Sequence, residues 1–268
     1  MGYDSVVHLV SFGGWNGPHL PKGYSGDQLY EIFKNFNNQQ NKTTTSKEYH
    51  FPTLWDGIDW DLEGHDNIQH PNNEFSVELL NQIGEFSNSA KKDGLLTSIA
   101  PPESYLDTTT SRFSRLVNLT YPNDDWHQDF LYHGWNVYAY IMAKYGEDID
   151  FAFIQFYESY SHALYQTEKM KMSQSEFLVT YIKNLSTEKG FGYYVNFQDD
   201  KSIDMKHQFV HLPLSKIVFG FANGWALDSE KAIFFNPFEV QAAFDQLHRM
   251  NLVPRGCGYW VVEEEGKC

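Results

Sequence analysis

Basic residues are scarce in this 268-residue chain: 20 Lys and Arg stand against 35 Asp and Glu, for a formal net charge of −15. No basic cluster overrides that balance, so a phosphate-backbone partner is excluded and nucleic acid is not expected. Cysteine is nearly absent. Cys257 and Cys268 are the only pair, and they fit either a small disulfide loop or two separate thiols. No apolar run approaches the roughly 18 residues needed to cross a bilayer, so no membrane span is expected. Internal repeats and an interdomain linker are also lacking, which leaves residues 1–268 as one domain. The 11 His form no pair at metal-ligand spacing with an acidic partner on one face, and neither a metal nor a cofactor is expected.

The chain does have ample apolar and aromatic material. A hydrophobic content of 41% is enough for one sizeable core, and 17% aromatic residues is high enough that some rings are expected to line a ligand surface. Three N-glycosylation patterns, at Asn41, Asn118 and Asn184, together with the cysteine pair, point to an extracellular or secretory compartment. Short apolar runs alternate with amphipathic stretches, the pattern of repeated βα units around a parallel sheet. Strands are expected at residues 6–12, 57–63, 95–100, 151–157, 216–221 and 258–262. Helices are expected at 26–36, 75–90, 132–145, 173–185 and 237–250, with a polar surface loop at 37–48.

The densest chemistry lies in DGIDWDLEG, residues 56–64. Read as a strand, it turns Ile58, Trp60 and Leu62 to one face and Asp59, Asp61 and Glu63 to the other. Alternate strand positions lie about 6–7 Å apart, so the acids feel one another, and their approach in a protein interior raises at least one pKa. An outer face carrying such charges usually intersperses Lys or Arg, and this one has none. The other strands also end in Gly or in chemistry-capable residues. These ends hold Gly14 and Trp15, the APPE stretch at 100–103, Gln155 to Glu158, Trp225 and Trp260. Active-site residues of barrel enzymes cluster at such ends.

These residues carry a resemblance. DGIDWDLEG resembles the DxxDxDxE signature of family 18 glycoside hydrolases, the chitinase family, and SFGG at residues 11–14 resembles the SxGG motif of their third barrel strand. LLTSIAP at 95–101 is similar to the fifth strand, IQFYES at 154–159 to the sixth, and Trp260 to the tryptophan of the eighth. The QFY form is nearest the compact class III branch. The implied fold is an α/β, TIM (β/α)8-type barrel that lacks its first two strands in this chain.

The resemblance also implies roles. Family 18 enzymes retain configuration without a carboxylate nucleophile, because the 2-acetamido oxygen of the substrate attacks the anomeric carbon. Glu63 would be the general acid and then the base. Asp61 and Asp59 would share protons with it, and Asp61 would also orient the acetamido group. Tyr157 would donate its hydroxyl to the acetamido oxygen. Trp260 would floor the sugar site, Gln155 and Gly14 would line it, and Trp15 and Trp225 would serve neighbouring subsites. Asp56 would be structural. The implied ligand is chitin or another N-acetylglucosamine oligosaccharide.

Two departures from the family pattern stand out. Glu158 occupies a position where the family usually has Asp or Asn, which moves a carboxylate of the binding site. The strands at 6–12 and 258–262 would also be left as open edges, which soluble proteins avoid. An upstream segment of the same precursor or a partner chain is therefore expected to cover them. Three functions compete on this reading: a chitinase-type glycosidase, an inactive lectin-like oligosaccharide binder, and a structural protein on the same fold.

Overall fold

The structure, a computed structural model, describes residues 6–39, 54–118, 133–186 and 192–261. Along the chain come β1 (Leu9–Gly14), α1 (Gly26–Gln39), β2 (Gly57–Leu62), α2 (Val77–Lys92), β3 (Leu96–Ile99), α3 (Ala139–Tyr145) and β4 (Phe151–Gln155). They are followed by the single turn α4 (His162–Leu164), α5 (Gln174–Leu185), β5 (Tyr193–Asn196), β6 (His207–Val210), β7 (Ile217–Ala222), α6 (Pro237–Met250) and β8 (Gly256–Trp260). Six strands make one parallel sheet in the order β1-β2-β3-β4-β7-β8, while β5 and β6 form a separate antiparallel pair.

Local chemistry sets the helix ends. Ser76 caps α2 by accepting from Leu79 N at 3.0 Å, with Glu78 in the first turn and Lys91 and Lys92 in the last, as the helix dipole favours. Ser173 caps α5 through Glu176 N at 3.1 Å. Asn236 caps α6 ahead of Pro237, and Asn251 closes that helix in the left-handed region at φ 55°.

The alternation in β2 holds. Ile58, Trp60 and Leu62 have no solvent exposure. The Trp60 indole stacks on Phe12 at 5.6 Å, meets Phe86 edge-on at 4.9 Å, and donates to Ser87 Oγ at 2.9 Å. One apolar cluster runs from Tyr30 and Phe33 of α1 through these residues to Ala243 and Leu247 of α6. The opposite face of β2 is left for the acids.

Several boundaries differ from the sequence reading. β1 starts at Leu9 rather than residue 6 and runs on through Gly13 and Gly14; β4 stops at Gln155, so Tyr157 and Glu158 lie just past the strand. α3 begins at Ala139, because Trp135 and Asn136 take left-handed φ values of 43° and 59° that break the helix. The start of that expected helix at residue 132 lies outside the described residues, as does most of the expected 37–48 loop. Its first residues belong to α1, where Asn37 is buried and exchanges hydrogen bonds with the Trp55 backbone. The β5–β6 pair was not anticipated. Its strands are four residues long and pair antiparallel, with Tyr193, Val195 and Val210 buried and an exposed cross-strand contact between Tyr194 and Phe209, ring centres 5.0 Å apart.

The sheet ends at β1 and β8, each paired on one side among the described residues. The structure therefore establishes a six-stranded parallel sheet, and barrel closure is not established. The C-terminal tips of both edge strands nonetheless reach a single cleft, through Gly14 and Trp15 on one side and Trp260 on the other. Cys257 in β8 is an exposed thiol; Cys268 lies outside the described residues. No helix among the described residues is long and apolar enough to cross a membrane.

Candidate active site

Parallel register places the acids. Asp59 sits level with Ser11 of β1 and Ser98 of β3, and both hydroxyls donate to it, at 2.9 and 2.5 Å. Burial pushes the Asp59 pKa up, and the two hydroxyls pull it back part of the way. Two positions on, Asp61 lies level with Gly13. A Cβ at Gly13 would stand 2.2 Å from the Asp61 carbonyl oxygen, and its φ of 119° is one that side chains rarely adopt, so glycine is required for this approach.

Asp61 Oδ1 accepts from Gln155 Nε2 at 2.7 Å, and the same amide nitrogen donates to Ala100 O at 2.5 Å. Asp61 also hydrogen-bonds to Glu63. Burial, followed by the charges of Glu63 and Asp59, pushes the Asp61 pKa up to about 9. Burial and the charge of Glu158 raise Glu63 to about 7, against the lowering effect of its bonds to Asp61 and Gln155. The pair shares protons, so near neutral pH at least one carboxyl of the two is protonated and faces the cleft.

The backbone around Glu63 is pinned on several sides. His19 Nε2 lies 2.8 Å from the Glu63 carbonyl oxygen, Tyr138 donates to Leu62 O at 2.8 Å, and Gly64 N donates to the Tyr105 hydroxyl at 3.1 Å. Burial and the nearby acids Asp61, Glu63 and Asp59 push the Tyr157 pKa well up, so its hydroxyl keeps its proton and acts as a donor. Glu158 is anchored from below: Ser104 N donates to Oε2 at 2.8 Å and Ser104 Oγ to Oε1 at 2.6 Å, while burial lifts its pKa to about 8.

These groups surround a cleft of about 510 Å³. Of the residues singled out in the sequence, Gly14, Trp15, Asp61, Glu63, Gln155, Tyr157, Glu158 and Trp260 line it. Trp15 is fixed at the rim, where its indole N–H donates to Asp66 Oδ1 at 2.8 Å, and Asn16 grips the other Asp66 oxygen at 2.8 Å. Trp260 is half exposed at the tip of β8, and the peptide bond after it is cis.

Two residues expected in the site, Asp59 and Trp225, do not line the cleft, and neither does Asp56, which was expected to be structural. Asp59 lies one step deeper, under Asp61. Asp56 ties strand starts together: it accepts from His8 N at 2.8 Å through Oδ2, and its backbone bonds both His8 and Leu96. Trp225 packs edge-on against Tyr157 at 6.2 Å and donates to Trp260 O at 2.7 Å, so it braces the wall rather than forming it. The lining also contains residues that the sequence reading passed over, among them Asp66, Tyr105, Tyr160 and Lys231. The strand-end rule could have found Tyr105, which follows the APPE stretch; the others sit on loops whose course the sequence does not reveal. Among the described residues, no group of three His, Cys, Asp or Glu side chains is placed to hold a metal ion.

No protein-family model matches the chain, and no curated protein matches it in sequence. Among solved structures, a GH18 chitinase from Pseudoalteromonas aurantia is similar over 97% of this chain and 71% of its own, at 13% identity and a TM-score of 0.47. The spore cortex-lytic enzyme SleL of Bacillus megaterium is similar over 96% of this chain and 57% of its own, at 12% identity and a TM-score of 0.42.

Proposed function

We propose that this protein is a glycoside hydrolase that cleaves β-1,4-linked N-acetylglucosamine, with the substrate's own acetamido group as nucleophile. The observation that carries this reading is the hydrogen-bonded pair of Asp61 and Glu63, whose raised pKa values keep a proton facing the cleft at neutral pH. Glycosidases that use two carboxylates hold them about 5–5.5 Å apart as acid and nucleophile, or about 6.5–9.5 Å apart with a water between. Here the two carboxyls bond to each other, so neither stands across the sugar from its partner. The likeness of residues 56–64 to the family 18 signature supports the substrate's acetamido group as the nucleophile in their place.

In the first step Glu63 gives its proton to the glycosidic oxygen as that C–O bond breaks, and the acetamido oxygen bonds to the anomeric carbon. Asp61 accepts the acetamido N–H, and the Tyr157 hydroxyl donates to the acetamido oxygen, which fixes the group for attack. In the second step the Glu63 carboxylate takes a proton from water, the water oxygen bonds to the anomeric carbon, and the acetamido oxygen leaves. Glu63 ends protonated and configuration is retained. Asp59, under two serine hydroxyls, completes the proton-sharing group. Trp260 and Trp15 offer indole surface to sugar faces.

A binding-only protein is the second reading, favoured by Glu158, whose charge adds to the load on Glu63. One experiment separates the two. Release of reducing sugar from a labelled chito-oligosaccharide is measured for wild type and Glu63→Gln, with binding followed in parallel. Hydrolysis is expected in wild type alone, with binding by the variant within an order of magnitude, because the substitution removes a proton donor without changing shape. Binding without turnover in wild type favours the lectin-like reading, and equal turnover in both rules out the role given to Glu63.

A further inference from the structure

The turn after β1 and the loop after β2 are joined by a clasp in which Asn16 and Asp66 face each other. Past Gly14 the chain reverses because Asn16 takes a left-handed φ of 66°, which asparagine tolerates better than most side chains, and Gly17 N donates to Gly14 O at 2.8 Å. The turn brings Asn16 N to Gly64 O at 3.1 Å. Asn16 Oδ1 accepts from Asp66 N, and Asn16 Nδ2 donates to Asp66 Oδ2, both at 2.8 Å. The other Asp66 oxygen accepts the Trp15 indole N–H at 2.8 Å.

The loop that carries Asp66 is itself braced. Buried Asn73 accepts from His65 N at 2.8 Å and donates to Asn67 O at 2.9 Å, and the His65 and His70 rings stack 3.9 Å apart. Asp66 lines the same cleft as Asp61 and Glu63 but is solvent-exposed, and the bonds from Asn16 and Trp15 hold its pKa below the usual aspartate range. It has no proton to give at neutral pH. What it holds is an indole 39% exposed at the rim of the cleft. A ring fixed before the ligand arrives loses less rotamer freedom when a sugar stacks on it.

We propose that Asp66 is a positioning residue that, with Asn16, sets the Trp15 indole at the rim so that the cleft grips a second sugar and favours oligomers over single sugars. This rests on the glycoside hydrolase reading of the cleft.

The test measures affinity for N-acetylglucosamine and for its tetramer in a Glu63→Gln background, where ligand is not consumed, and takes the ratio of the two. Asp66→Ala is expected to weaken the tetramer about tenfold, the scale of one aromatic contact. The single sugar, held at the acids and Trp260, is expected to bind as before, which also reports that the cleft is folded. Asp66→Asn alone is expected to act in the same direction, because an amide at this position sets donor against donor, at Asn16 or at Trp15, whichever way it turns. Combining Asp66→Asn with Asn16→Asp exchanges the two partners, keeps every bond of the clasp and is expected to restore the parent ratio. An unchanged ratio in Asp66→Ala, an equal loss for both ligands, or no recovery in the exchanged pair overturns the assignment; the last would mean that the carboxylate acts on the ligand directly. Turnover of the tetramer by wild type is scored separately. Its absence alongside a clasp-dependent ratio removes the hydrolase reading and leaves the clasp standing, whereas turnover with an unchanged ratio removes the clasp alone.

Discussion

Buried carboxylates occur in two regions of this molecule and have opposite fates. At the end of β2, Asp61 and Glu63 are crowded by other acids and take a hydrogen bond from the Gln155 amide, and burial raises both pKa values. In the loop after β3, Asp107 is more deeply buried, at 1% exposure. Burial pushes its pKa up too, but the His162 charge and hydrogen bonds from His133 and His162 outweigh that and hold it below the usual aspartate range. Thr109 adds two more donors to Asp107 Oδ1, at 2.9 and 2.7 Å. Removal from water alone therefore does not make an acid catalyst. What separates the two regions is the sign of the neighbours and access to the cleft, which Asp107 lacks.

The sharpest way to break this comparison is to neutralise the charged member. Asp107→Asn is expected to cost roughly 3–5 kcal/mol in denaturant unfolding at pH 7, because the buried imidazole and Thr109 donors around it lose their carboxylate acceptor. A folded pKa held below the ordinary value contributes stability above about 3.8, lost as pH falls through the folded value. The gap between wild type and variant is expected to close only in strong acid. Its catalytic pH profile is expected to keep the wild-type shape, and a shifted profile would tie Asp107 to the active site after all.

Asp61→Asn probes the other side. Turnover on an N-acetylated oligomer is expected to fall about 10²–10³-fold with a smaller change in KM, since an amide fills the same space but cannot exchange a proton with Glu63. In wild type, kcat is expected to decline as pH rises through about 7, where Glu63 loses its proton. A flat profile from pH 5 to 9 contradicts the acid role.

The smallest effect concerns stability at the active site. For Glu63 the folded pKa lies above the ordinary carboxylate value, so its contribution is fully present below about 4.5 and is lost as pH rises through about 7. Glu63→Gln removes that loss. Its Tm is expected to exceed the wild-type value at pH 8, by roughly 2–4 °C for each kcal/mol recovered, and to match it near pH 4. A variant less stable at pH 8 means that the carboxyl is not strained in the way described.

How much of this was legible in the sequence follows from distance along the chain. Period-two alternation in β2 and helical spacing with capping residues are local signals, so the acid face and α1, α2, α5 and α6 could be read directly. Non-local pairings could not. Glu158 was legible as an oddity, but its anchor Ser104 is 54 residues away, and nothing between them signals the contact. Asp66, Tyr160 and Lys231 enter the cleft through loops whose course depends on tertiary packing. The β5–β6 pair escaped because its strands are only four residues long, too short for alternation to stand out, and their antiparallel pairing joins residues 193–196 to 207–210 across an intervening loop. Trp225 carried the right chemistry for a sugar platform, but its ring turned to brace Tyr157 and the tip of β8.

The central claim is that the substrate brings its own nucleophile while Asp61 and Glu63 manage a shared proton. It is tested most directly by giving the wild-type protein two oligomers of equal length, one fully N-acetylated and one fully deacetylated, and measuring kcat/KM for each at pH 6. The account predicts cleavage of the acetylated oligomer and a rate at least about 10³-fold lower for the other, the loss expected when a positioned nucleophile is removed. Comparable cleavage of both would contradict it.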